Sequence, residues 1–110
     1  MTALELAEQA RHALLEKKGE QVVILDVRKV STVTDFYVIG TGRTPPQLKA
    51  MLSEVQAELK QSGLLSYRRA GDPEGGWLVL DYVDVVIHMF SREAREYYAV
   101  EALWAEAPRL

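Results

Sequence analysis

The chain has 110 residues, no cysteine and a net charge of −3, with 48% hydrophobic and 26% charged residues, the mix of one folded domain and not of a disordered chain. The missing cysteine excludes a thiolate zinc site, a dithiol redox centre and a Cys nucleophile. The charge is uneven: residues 1–71 carry ten Lys/Arg against eight Asp/Glu, net +2, and residues 72–110 carry three Arg against eight Asp/Glu, net −5. An acidic second half is a poor surface for a phosphate backbone and suits a basic protein; carboxylates also serve solubility alone. The opening MTALELAEQAR has neither the basic start nor the apolar core of a signal peptide. No apolar run approaches the roughly 18 residues of a membrane span, so a cytoplasmic protein is expected.

Thr2 and Glu5 form a capping box before a helical stripe of Leu4, Ala7, Ala10, Ala13 and Leu14, which ends at Lys17-Lys18 with Gly19 as the left-handed terminator. Val22 to Leu25 is a continuous β-branched and apolar run, predicting a central strand buried on both faces. Phe36 to Gly40 is a second strand, stopped by Gly40 and Gly42. Thr44-Pro45-Pro46-Gln47 is the clearest start signal: a threonine N-cap, a proline in the first helical turn and Gln47 closing a capping box. Leu48, Met51, Leu52, Val55 and Leu59 follow on one helical face, and Gly63 ends the helix. Leu64 to Arg69 reads as a short strand, and Gly71 to Gly76 as a turn.

Trp77 to Phe90 reads WLVLDYVDVVIHMF, too long for one strand of five or six residues. The spacing predicts strands over Trp77–Leu80 and Val85–Phe90, broken at Asp81-Tyr82-Val83-Asp84. Ser91 caps a final helix over Arg92–Trp104. The order α-β-β-α-β-β-β-α makes an α/β fold with a mixed sheet of about five strands flanked by helices. One domain is expected over residues 1–105, with 106–110 a short tail.

The paired acids raise a metal-dependent reading, because transferases hold divalent ions with carboxylates on one strand face. Acids three apart on an unbroken strand face opposite ways. A turn between Asp81 and Asp84 could restore convergence, so a metal-dependent nucleotidyl- or phosphotransferase is the alternative function. Gly40-Thr41-Gly42 lacks the residues that complete a phosphate-binding fingerprint. His12, four before Glu16, reads as an exposed helical pair. His88 shares a face with Val86 and Phe90 and reads as a structural histidine. Arg68-Arg69 reads as solvated surface. The aromatics Trp77, Tyr82, Tyr97, Tyr98 and Trp104 could stack on bases, but among acids they look more like a protein-binding face.

Several segments are similar to the Iojap family, the ribosomal silencing factors called RsfS. They are Thr34-Asp35-Phe36-Tyr37-Val38-Ile39, then Trp77 to Phe90, then Glu93-Ala94-Arg95-Glu96-Tyr97-Tyr98 with Leu103-Trp104. Their order and spacing and the total length match, so the resemblance covers nearly the whole chain. It departs at Val83, where the family usually has glycine, a residue that would ease a tight turn.

The resemblance implies a nucleotidyltransferase-like fold without transferase activity. It implies binding of the large ribosomal subunit through a basic ribosomal protein of the L14 family, a block on small-subunit joining, and translation repressed under nutrient limitation. It further implies self-association off the ribosome and no enzyme activity; no cofactor, no membrane and no major direct nucleic-acid contact are expected. The expected partner-binding residues are Trp77, Leu80, Asp81, Tyr82, Asp84, Tyr98 and Leu103. Asp84 is expected to divide equally between binding and accepting turn amides, and Asp81 to favour binding.

Overall fold

The computed structural model describes residues 1–98, 102 and 105–110. Helix α1 spans Ala3–Glu16. Both capping-box bonds form: Glu5 N–H donates to Thr2 Oγ1 at 3.1 Å and Thr2 N–H to Glu5 Oε1 at 2.8 Å. The buried stripe is Leu6, Ala7, Ala10, Ala13 and Leu14; Leu4 lies off it and is exposed. The left-handed residue after the helix is Lys18, at φ 63°, and not Gly19. Gly19 is needed for space instead, because a Cβ there would lie 2.8 Å from Leu14 O.

Strand β1 spans Glu20–Asp26, β2 Phe36–Gly42, helix α2 Pro45–Gln61, β3 Arg68–Asp72, β4 Trp77–Asp81, β5 Val85–Ser91 and helix α3 Arg92–Tyr98. The sheet order is β1-β2-β5-β4-β3. Strands β2 and β5 run parallel, and every other neighbouring pair is antiparallel. The element order and fold class are those expected.

Several boundaries differ. β1 lies at one end of the sheet order, not at its centre. It reads as central because Ile24 and Leu25 are buried on opposite faces, and because the chain's last residues close its outer edge. Asp26 N–H donates to Pro108 O at 2.8 Å and Leu110 N–H to Ile24 O at 2.9 Å. Ala107 is buried beside Leu25, so residues 107–110 pack as part of the domain. β2 passes through Gly40, where a Cβ would lie 2.9 Å from Leu14 Cδ1; that glycine admits α1 close to the sheet. β3 starts at Arg68 and runs into the expected turn as far as Asp72. It can do so because Gly71 takes φ 95° and has no side chain at a point where a Cβ would lie 2.1 Å from Trp77 O.

Helix α2 is capped by Thr44 Oγ1, which accepts from Gln47 N–H at 3.2 Å. The reciprocal bond shifts by one residue: Gln47 Oε1 accepts from Arg43 N–H at 2.6 Å. Leu48, Met51, Leu52, Val55 and Leu59 are all buried. His12 does more than pair with Glu16 at 3.2 Å. Its Nδ1 lies 3.0 Å from Glu58 of α2, a contact that raises its pKa above the ordinary value. Gln9 donates to the same carboxylate.

The main core lies between one sheet face and helices α1 and α2, filled by Ile24, Val38, Leu78, Leu80, Ile87 and Met89 against the helical stripes. A smaller cluster on the other face joins Leu25, Ile39 and Phe90 to Ala94 of α3 and to Ala107. Among the described residues, no helix is long and apolar enough to cross a membrane.

Candidate protein-binding face

Strand alternation sorts the side chains of β4 and β5. Leu78 and Leu80 point to the helices, so Trp77, Val79 and Asp81 take the opposite face. The register sets Trp77 against Phe90, Val79 against His88 and Asp81 against Val86. On the other side of β5, Tyr37 pairs with Val86, Ile39 with His88 and Thr41 with Phe90. Among the described residues, Ala94 of α3 and Ala107 of the C-terminal segment cover this face where Leu25, Ile39 and Phe90 cluster. The remainder is an open groove of about 660 Å³, lined by Tyr37, Val79, Asp81, Val83, Val86 and His88 among others.

Trp77 stands beside this groove and is 38% exposed. Its ring stacks on Phe90 at 5.3 Å and meets Tyr98 of α3 at 5.4 Å. Its indole N–H donates to His88 Nδ1 at 3.1 Å. Indole is a donor only, so His88 Nδ1 must be unprotonated. Burial pushes the His88 imidazole down to about 4, which keeps it neutral at neutral pH. Tyr37 packs on the other side of that imidazole, with ring centres 5.3 Å apart. Its phenol is held above its ordinary value by burial first and by the Asp81 charge second.

Buried cationic contacts seat α3 beside Trp77. Arg95 is 5% exposed and donates to Gln21 O at 2.7 Å and Thr41 Oγ1 at 2.8 Å. Gln21 lies at the irregularity in the β1–β2 ladder. Glu20 accepts from Arg92 at 2.8 Å and Arg43 at 3.0 Å, contacts that hold its carboxyl below the usual range. The start of α3 is therefore tied to both β1 and the start of α2.

The turn between β4 and β5 uses one of its two acids internally. Asp81 Oδ1 accepts from Val83 N–H at 2.8 Å, and Oδ2 lies 3.5 Å from Arg68 Nη2. Asp84 is exposed, and its carbonyl accepts from Asp35 N–H at 2.9 Å. Asp81 thus bonds within the turn while also lining the groove, and Asp84 is the more exposed of the two acids.

Of the expected site residues, Trp77 and Tyr98 come together and are both accessible. Leu80 and Tyr82 require correction. Leu80 is fully buried and Tyr82 is 8% exposed, and both belong to the core on the helix side. Counting by two from Leu78 puts both on that face, so the alternation carried the signal. Leu103, with Trp104, lies outside the described residues. His88, Tyr37, Val79 and Val86 belong to the open face but were not among the expected set, because the parallel β2–β5 register that gathers them is a long-range pairing.

The family model described as ribosomal silencing factor during starvation, RsfS, matches residues 1–110. This chain belongs to the RsfS family. The RsfS of Halalkalibacterium halodurans is 35% identical over 108 residues, 98% of this chain and 92% of that protein. The chloroplastic protein Iojap of Arabidopsis thaliana is 31% identical over 111 residues, covering 98% of this chain and 43% of that longer protein. The crystal structure of a Chromobacterium violaceum protein superposes with a TM-score of 0.91 at 33% identity, over 96% of this chain and 88% of that one. As an RsfS-family member the chain is classed with regulators of the ribosome.

Proposed function

We propose that this RsfS-family chain silences translation by binding the large ribosomal subunit and standing where the small subunit must join. Its target is a basic ribosomal protein of the L14 family, and its binding surface is the open sheet face with the flank of α3. The observation that carries this proposal is Trp77: an aromatic 38% exposed, yet held by Phe90, Tyr98 and His88. Such a side chain loses little freedom on binding, which is what makes a rigid aromatic an effective anchor. The second half of the chain adds a net charge of −5, which favours encounter with a basic partner.

The inhibition needs no bond-making step. The domain measures 33 × 31 × 21 Å, and a body of that thickness seated at the subunit interface excludes the small subunit by volume alone. This activity belongs in the cytoplasm, where ribosomal subunits are free. Off the ribosome, the same uncovered face is the surface through which two copies would associate.

Sedimentation of the purified protein with isolated subunits tests the proposal. The protein should travel with large subunits and stay behind with small ones. Equal recovery with both would overturn it.

A further inference from the structure

The β4–β5 turn is closed by an uncommon bond. Asp84 N–H donates to Tyr82 O at 2.9 Å, two residues back, which forms a γ-turn centred on Val83. Val83 takes φ 72°. A γ-turn with its central residue at positive φ is the rare, strained form. A β-branched residue in that region is an outlier, because its branch carbons crowd the neighbouring backbone. Among the described residues, the other non-glycine residues at positive φ are Lys18 and Gln21, and each has a local cause. Lys18 terminates α1, and Gln21 sits where the β1–β2 register shifts.

Among the described residues, packing within the chain does not repay the strain at Val83. The residue is 54% exposed and belongs to neither apolar cluster. Its isopropyl group instead lines the open groove with Val33, which is 77% exposed, and with Tyr67, which is 76% exposed. Asp81 and the exposed Asp84 flank it in sequence.

We propose that Val83 is a specificity-determining contact for the basic ribosomal partner: an apolar knob beside acids, shaped to take the methylene stem of a partner lysine or arginine whose charged head reaches Asp84. Long cationic side chains bind in this divided way, with stem on apolar surface and head on a charge. The role rests on the large-subunit function proposed above. The strained turn is then the cost of presenting a branched side chain at a position whose backbone favours glycine.

Thermal melts and large-subunit sedimentation curves of Val83→Gly and Val83→Ala test this. Glycine accepts positive φ without strain. Val83→Gly should therefore melt about 2 °C or more above wild type and bind large subunits about fivefold or more weakly. Val83→Ala should melt between the two and also bind weakly. Wild-type binding retained in Val83→Gly would overturn the contact role and leave the large-subunit function standing. A Val83→Gly protein that melts below wild type would overturn the strain. A wild-type protein that does not sediment with large subunits would overturn the function, and this role with it.

Discussion

The indole N–H of Trp77 donates to Nδ1 of His88 across 3.1 Å, and this bond fixes which edge of the tryptophan reaches solvent. His88 is thus a positioning residue. His88→Leu keeps apolar bulk under the ring and removes the acceptor. Large-subunit binding should weaken about threefold to tenfold, the worth of one hydrogen bond, and the tryptophan emission should shift in the free protein. Unchanged emission together with unchanged affinity would show that the bond does not orient Trp77.

The same histidine makes stability depend on acid. Its folded value lies at about 4, against about 6.5 for a free imidazole. As pH falls, the unfolded chain takes up the proton first. The contribution is complete above about pH 6.5 and is lost progressively down to about pH 4, a total on the order of 3 kcal/mol. Urea unfolding across that window should show a steeper loss in wild type than in His88→Leu. Parallel pH profiles would contradict the assignment.

Trp77 and Tyr82 should separate binding from folding. Trp77→Ala should weaken large-subunit binding about tenfold or more, while costing less stability than the roughly 3–5 kcal/mol of a core aromatic. Tyr82→Ala should approach that core cost, and its folded fraction should bind normally. Melts and binding curves on both variants read the two effects, and a reversed pattern would place the contact on the wrong aromatic.

The acids should also divide. Asp84→Asn should weaken binding modestly, by about 0.2–1 kcal/mol if the pair stays solvated, and more at low salt than at high. Asp81→Asn retains a carbonyl that can accept the Val83 amide, so its binding should stay near wild type. Salt titrations of both variants check this, and Mg²⁺ titration of the double variant checks for a metal role. Mg²⁺ binding by wild type that disappears in the double variant would favour transferase chemistry on this scaffold.

Local signals carried most of the fold into the sequence. The Thr2–Glu5 box, the Thr44-Pro45 start and the α2 stripe depend on residues within a turn or two of one another, and each stands as expected. Errors arose where distant parts meet. β1 looked central because residues 108–110 pair along its outer edge. His12 looked like a local pair because Glu58 lies 46 residues away.

The candidate site was legible in part for the same reason. Trp77 and Asp84 stood out as an aromatic and a charge at the ends of apolar strands. Leu80 and Tyr82 were drawn in by proximity in sequence, although the two-residue period sends them to the core. His88 gained its role only through the register that sets it against Val79 and beside Tyr37. Val83 shows the remaining difficulty. Its side-chain preference argues against positive φ, and only the backbone reveals that it takes that conformation.

The most direct measurement is the rate and extent of subunit joining, followed by light scattering as purified large and small subunits are mixed. Wild-type protein preincubated with large subunits should suppress joining in a saturable way. Trp77→Ala should need about tenfold more protein for the same suppression. Full joining at saturating wild-type protein, or equal suppression by Trp77→Ala, would contradict steric silencing through the open sheet face.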